Sequence, residues 1–396
     1  MTTEPVPGAG PSRPGGFTTA IVKLTAVCNL NCSYCYMFNL ADKSYSRTYR
    51  FMPARTAAAT VDAIAAYCAE RDLRSFSIAL HGGEPSMWPL DRFEHLLDRV
   101  EHWRARGLEL RLVAQTNGLH LPDPLLDLWH RHGVEVGVSL DGPPWLHDTY
   151  RTRHDGRGSY ATIMRNVERM LAGGHRSLLN GFLCVAQPAI DPTEFLDWAE
   201  ELPAGIDVLW PIEFHHGNPP WGAGPIEEYA RAPRYGTWFS ALFLEWAARG
   251  SPVRVRLFEQ TVGAVLGARP AMDALANEHL PALVVNTGGQ IELNDYVRSY
   301  EDGAAETGLH VSQGLGAAEA HPAFRHYLDL REHRPAECTG CPVVEVCGGG
   351  FLPGRMAPGA DRPVGRSVLC YDQFAFFTTV QSVVRDARER ALAGSG

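Results

Sequence analysis

Three thiols in a CxxxCxxC spacing, Cys28-Asn-Leu-Asn-Cys32-Ser-Tyr-Cys35, follow directly on the apolar run 19–27. Three soft thiolates in one short loop can hold an iron–sulfur cubane while leaving one of its irons without a protein ligand. That open iron is a place for a chemically useful ligand. A zinc knuckle or a chance clustering of core cysteines is the plainer alternative, although zinc takes four ligands built on CxxC-type pairs. A second group, Cys338, Cys341, Cys347 and Cys370, lies near the C-terminus, and Cys68 and Cys184 complete the nine. Such clusters in a chain that opens without a signal peptide favour metal sites over disulfides. Cys68 falls in an Ala-rich helical stretch and Cys184 in an apolar strand, so both read as buried structural thiols.

The elements that must position these residues alternate along the chain. Residues 17–27 read as a first strand whose end delivers the cysteine loop, 56–71 as an Ala-rich helix, and 75–80 as a strand running into His81-Gly82-Gly83-Glu84-Pro85. Further strands are predicted over 108–114, 134–140, 178–186 and 206–211, with helices over 125–132, 160–171 and 192–202. Strands alternating with helices of this length indicate right-handed βαβ units and a parallel sheet. Six strands before residue 215 fit a partial (β/α)6 barrel of TIM type, and the polar motifs fall at the C-terminal strand ends, where barrel chemistry sits. Residues 226–249 read as a helix whose stripe Trp238, Phe239, Leu242, Phe243 and Trp246 is core, and 217–224 as a Pro- and Gly-rich surface loop. From 281 the character changes to short strand-like runs (283–285, 290–293) and a loop-rich cysteine segment, read as a small domain held by its metal. A closing helix over 374–392 is expected to pack back onto the barrel.

Composition sets the bounds. The 396 residues suit one large α/β body, 17–280, and a smaller appendage, 281–396, after a Pro- and Gly-rich lead-in, 1–16, that reads as disordered. The charge of −9 with dispersed basic residues gives no reason to expect a nucleic-acid partner. No apolar run approaches the roughly 18 residues needed to span a bilayer, so a cytoplasmic protein without a membrane partner is expected.

The CxxxCxxC loop resembles that of the radical SAM superfamily, in which the free iron of a 4Fe-4S cluster is chelated by S-adenosylmethionine. Gly82-Gly83-Glu84, directly after the second strand, is similar to the family's GGE motif, where glycine backbone approaches the cofactor's amino group. The segment Ser139-Leu-Asp-Gly-Pro followed by His147-Asp-Thr-Tyr-Arg151 resembles peptide-modifying members in which the serine meets the cofactor's sugar and the arginine its carboxylate. By the same resemblance Asn117, in a Thr-Asn-Gly turn, and Tyr34, in the aromatic patch 34–38, join the cofactor-side residues. Turn formation and core packing remain the simpler roles for these two.

The C-terminal cysteines resemble part of the SPASM pattern of peptide maturases, whose seven cysteines bind two auxiliary 4Fe-4S clusters. Cys338, Cys341, Cys347 and Cys370 match the ligands of the outer cluster. Phe351 and Asn294 stand where the inner cluster wants thiols. The resemblance therefore implies one auxiliary 4Fe-4S cluster in a reduced SPASM, or twitch-like, domain, with a zinc site on the same thiols as the alternative. Asp295 follows the lost cysteine, where sulfatase maturases carry the base that deprotonates the substrate. The missing inner cluster argues against that branch. The stretch 35–44, followed by Arg50-Phe-Met-Pro, resembles maturases that install cyclophane cross-links in short peptides.

The resemblance implies reduction of SAM at the first cluster, hydrogen abstraction from a ribosomally synthesised precursor peptide by a 5′-deoxyadenosyl radical, and closure of a carbon–carbon cross-link. Thioether formation, epimerisation and sulfatase maturation are alternatives, and a zinc-binding scaffold is the non-enzymatic one. A flavodoxin- or ferredoxin-type electron donor is implied. Only residues 1–16 precede the barrel, so a separate leader-recognition protein, or a surface of this chain, must read any leader.

Overall fold

The computed structural model describes residues 16–276, 281–328, 334–360 and 362–393. Apart from Gly16, the lead-in expected to be disordered lies outside the described residues. Six strands form the parallel part of one sheet: β1 (Thr19–Thr25), β2 (Ser75–Gly82), β3 (Glu109–Thr116), β4 (Val134–Ser139), β5 (Leu179–Val185) and β6 (Ile206–Leu209). They pair in that order, each parallel to the next. The helices Ala54–Arg71, Leu90–Arg104, Asp123–Arg131, Tyr160–Ala172 and Pro192–Glu200 connect them, as the alternation of periods requires. Helix Leu90–Arg104 is absent from the sequence expectation because its acidic and basic residues hide an apolar face of Phe93, Leu96, Leu97 and Val100.

Three short strands extend the sheet past β1. β7 (Ala282–Val285) runs parallel to β1, and β8 (Gln290–Glu292) and β9 (Glu306–His310) follow antiparallel. The order β9-β8-β7-β1-β2-β3-β4-β5-β6 leaves the sheet open among the described residues, with β1 inside rather than at an edge. The change of character near residue 280 therefore marks no break in the sheet, and the buried apolar side chains on both sides of it form one core.

Side-chain alternation divides the parallel strands into two faces. Val22, Leu24, Phe76, Ile78, Leu80, Leu112, Ala114, Val136 and Val138 are buried toward the helices. Lys23, His81, Gln115 and Ser139 share the opposite face near the C-terminal strand ends. The helix expected over 226–249 breaks at Pro233 into Ile226–Arg231 and Arg234–Ala248, since proline offers no N–H to continue it. Its stripe is core as expected. Phe239 and Phe243 pack against Phe376 of the closing helix Cys370–Ala393 at 5.5 and 6.2 Å, and Phe258 does so at 5.8 Å. No helix among the described residues is long and apolar enough to cross a membrane.

Candidate active site

The cysteine loop leaves β1 and is held by the next strand end. Gly83 and Glu84 donate their amides to the carbonyls of Thr25 and Val27, both at 2.9 Å. A Cβ on Gly82, whose φ is +141°, would lie 2.4 Å from the Thr25 oxygen, and one on Gly83 2.2 Å from the Val27 oxygen. Only glycine lets the two chains approach so closely. These glycines thus seat the cysteine loop on β2, a requirement independent of any ligand.

Glu84 is fully buried. It accepts from the Thr116 hydroxyl at 2.6 Å, the Asn117 amide at 2.7 Å and the Ser86 amide at 3.0 Å, although burial still pushes its pKa upward. That clamp orients Asn117. The Asn117 side-chain amide donates to Asn29 Oδ1 at 2.7 Å and to Cys28 Sγ at 3.5 Å, and the Leu30 amide donates to the same sulfur at 3.4 Å. Glu84, Asn117 and Cys28 are therefore one unit.

A second unit holds the other side of the loop. Residues Leu30–Cys32 pair antiparallel with Arg151–Arg153, placing Cys32 opposite Arg151. The Tyr34 hydroxyl donates to Asp141 Oδ2 and accepts from Arg151 Nη1 at 2.7 Å, while Asp141 and Arg151 stand 3.9 Å apart. Asp141 also receives the Val185 amide at 3.1 Å, tying β4 to β5. Burial opposes the charge of Arg151, but Tyr34, Cys32 and Asp141 outweigh it and raise its pKa. Its buried Nε has no hydrogen-bond partner among the described residues. Ser139 stands apart from this unit and accepts from Gln115 Nε2 at 3.0 Å.

Asp295 belongs to a third unit. Its Oδ1 takes Lys23 Nζ at 2.5 Å and Arg298 Nε at 2.9 Å, and its Oδ2 takes the Tyr36 hydroxyl at 3.0 Å. Arg298 also bonds Asp42 at 2.5 Å and Glu292, with every member buried except Tyr36. Burial pulls the Asp295 carboxyl up, but Lys23, Arg298 and His81 hold it well below the usual carboxylate range. The position expected to furnish a base is thus a fully bonded anion beside the cysteine loop. At the two positions where the resemblance leads one to expect thiols, Asn294 caps the turn 295–299, and Phe351 meets Tyr296 edge-on at 5.4 Å.

Cys338, Cys341, Cys347 and Cys370 line one small cavity with Val343, Val344 and Phe374. Burial pushes Cys28 and Cys347 up to about 12 and Cys32 and Cys370 up to about 11. Bare thiols in such places stay protonated, and cationic iron offsets the cost of the thiolates. Among the described residues no three His, Cys, Asp or Glu side chains converge on a single ion. A cubane does not ask for that, because each thiolate takes a different iron. The N–H bonds to Cys28 Sγ and the shared cavity fit two cluster sites.

Sequence reasoning passed over Lys23, Tyr36, Gln115, Asp141 and Arg298. A lysine inside an otherwise apolar strand was the available signal for Lys23. Nothing local marks Arg298, whose partners are 3 to 256 residues away.

Residues 22–202 match the radical SAM superfamily. The chain is 24% identical over 373 residues to a serine-type anaerobic sulfatase-maturating enzyme of Bacteroides thetaiotaomicron, covering 90% of this chain and 87% of that one. It is 25% identical over 367 residues to a cysteine-type anaerobic sulfatase-maturating enzyme of Clostridium novyi, covering 88% and 91%. Among solved structures, native anSMEcpe with bound AdoMet superposes with a TM-score of 0.78 at 18% identity, over 94% of this chain and 99% of that one. Streptococcus suis SuiB bound to precursor peptide SuiA gives 0.55 at 14% identity, over 90% and 76%. These two likenesses concern the fold.

Proposed function

We propose, since residues 22–202 match the radical SAM superfamily, that the protein is a member of it and oxidatively modifies a peptide, installing a cyclophane-type carbon–carbon cross-link in a ribosomally made precursor. The observation that carries the reading is the three-thiol loop clamped at the C-terminal strand ends between the Glu84–Asn117 unit and the Tyr34–Asp141–Arg151 unit. Cys28, Cys32 and Cys35 would hold the 4Fe-4S cluster, and Gly82–Glu84, Asn117, Ser139 and Arg151 would hold SAM. When bound, that pair supplies an organic radical strong enough to remove an unactivated hydrogen.

The chain's own residues do the positioning. Tyr34 and Asp141 fix the Arg151 guanidinium, leaving its Nε–H for a ligand carboxylate. Asn117 steadies Cys28 by bonding its sulfur. Asp295, with both oxygens bonded, anchors Lys23 and Tyr36 next to Cys35. Residues 281–396 are read as the reduced auxiliary lobe, in which Cys338, Cys341, Cys347 and Cys370 would hold one further cluster, supplying an electron acceptor. Tyr296 and Phe351 fill the second site's place. The peptide reading is supported by anSMEcpe, whose structure with AdoMet also holds the Cp18Cys peptide, and by SuiB bound to SuiA. A reducing partner of flavodoxin or ferredoxin type and a leader-recognition protein complete it.

Maturation of a sulfatase is the second reading, favoured by full-length relatives that carry that name. The test incubates reduced, cluster-loaded protein and SAM with the peptide encoded beside it. Peptide-dependent SAM cleavage and a product lighter by two hydrogens are expected. Tandem mass spectrometry then separates a cross-link, which protects the backbone between two residues, from oxidation confined to one residue. Absence of SAM cleavage refutes both readings.

A further inference from the structure

A carboxylate that no unit above employs lies past the C-terminal end of β6. Glu213 follows Trp210-Pro211-Ile212 at the strand end where the cysteine loop, Glu84, Asn117 and Asp141 also gather. The rim is continuous there: Asp141 holds the Val185 amide, and the Ala186 amide bonds the Leu209 carbonyl at 3.0 Å. Beyond it the His216 amide bonds the Met356 carbonyl at 2.9 Å, so the chain just after Glu213 meets the C-terminal cysteine segment.

Its surroundings differ from those of Asp295. Glu213 is half-buried, and among the described residues no hydrogen bond or ion pair engages its carboxylate. Four groups act in its neighbourhood. Arg234 is the facing cation, and Tyr235 senses Glu213, Arg234, Tyr150 and Asp372 together. The Arg234 guanidinium lies over the Tyr235 ring at 5.6 Å, and Asp372 is occupied by the Tyr229 hydroxyl at 3.0 Å and the Tyr235 and Gly236 amides at 2.9 Å. The backbone carbonyl of Tyr150 accepts the Ser33 amide of the cysteine loop at 3.0 Å.

We propose that Glu213 takes up the proton released when the modified peptide is oxidised, the part expected of Asp295. The assignment rests on the cross-linking function proposed above. Hydrogen abstraction breaks one substrate C–H bond, and bonding of that carbon to an aromatic ring leaves the attacked ring carbon with one hydrogen too many. Restoring the ring breaks this second C–H bond. Its proton passes to a Glu213 carboxylate oxygen, which becomes the acid, and one electron passes to an acceptor of the iron–sulfur class. Burial pushes Glu213 up to about 6 against the pull of Arg234, near the operating pH, whereas Asp295 is held far below it. An acceptor near neutrality combines a vacant site with useful basicity.

The test compares loaded wild-type enzyme with Glu213→Gln, reading product per 5′-deoxyadenosine formed and, by difference infrared spectroscopy, the titration of buried carboxyls. In the wild type, product formation should rise through pH 6, and a carboxyl band should titrate there. Glu213→Gln should keep cleaving SAM with peptide present, lose that band, and give roughly a hundred-fold less product per cleavage at every pH. Wild-type yield per cleavage in Glu213→Gln overturns the assignment alone, as does persistence of the band. A wild-type enzyme that cleaves SAM with peptide yet leaves the peptide unchanged overturns the function, and the role of Glu213 with it.

Discussion

Replacing Arg298 with methionine removes the cation that three buried carboxylates share. Asp42, Glu292 and Asp295 are 0, 2 and 6% exposed, and with Arg298 gone Lys23 remains as the ion-pair partner of Asp295. Breaking one buried ion pair from one side costs about 3–5 kcal/mol, a large part of a stability on the order of 5–15 kcal/mol. The pH dependence has a definite sign. Asp295 has a lowered pKa in the folded chain, so its contribution is present above the ordinary range near pH 4 and is lost as pH falls through the folded value. Without Arg298, burial dominates and the folded Asp295 and Glu292 carboxyls move up, as Glu292 already does in spite of Arg298 and Lys23. Arg298→Met should therefore be most destabilised near pH 8 and regain part of its loss toward pH 5.5. Urea unfolding followed by tryptophan fluorescence at both pH values measures this. Arg298→Lys should recover little, since one ammonium cannot span acceptors that the guanidinium reaches with three nitrogens. A loss below about 1 kcal/mol at pH 8, or one that deepens on acidification, refutes the reasoning.

Four further outcomes follow from the same geometry. Iron analysis should find about eight irons in the loaded chain and about four after Cys28→Ala or Cys338→Ala; zinc without sulfide refutes the cluster assignment. Arg151→Lys should weaken SAM binding about ten-fold, or ~1.4 kcal/mol, measured by equilibrium dialysis with the cluster in place. Gly83→Ala should lower cluster occupancy because its Cβ meets the Val27 oxygen at 2.2 Å, whereas Gly263→Ala, whose Cβ would meet Ala268 at an ordinary 3.7 Å, should retain it. His147 is driven down to about 3 by burial, with Arg151 adding to the effect. Its neutral ring accepts from the Asp141 amide and meets the Ser159 hydroxyl at 2.9 Å. Stability held by that neutral imidazole is present above the unfolded value near pH 6.5 and falls as pH drops below it. His147→Gln should flatten this fall in acid unfolding curves.

The parallel strands were legible because period-two apolar runs alternate with helical stretches, and β4 and β6 begin at the residues foreseen. The cysteine loop and the GGE turn were legible as motifs, though the reason for the glycines was not. Their fit against Thr25 and Val27 depends on two strands distant in sequence. The runs 283–285 and 290–293 were legible as short strands, but that they continue the same sheet was not, since the pairing of β7 with β1 joins segments about 260 residues apart. The setting of Asp295 was hidden too, since Lys23, Tyr36, Asp42 and Arg298 converge only after folding. The break at Pro233 needed no structure, as proline inside a helical pattern already predicts it.

The pairing of β1 with both β2 and β7 also dictates an order of assembly. Residues 19–22 meet 77–80 soon after synthesis, but their other neighbours, 282–285, are made about 260 residues later. Until then β1 is a bare edge. Lys23 waits for Asp295 over a similar interval. The cysteine loop hangs from the end of that strand, so its final anchoring comes late in the life of the nascent chain. A chain cut short before residue 282 accordingly leaves its cysteines on an unshielded, aggregation-prone edge.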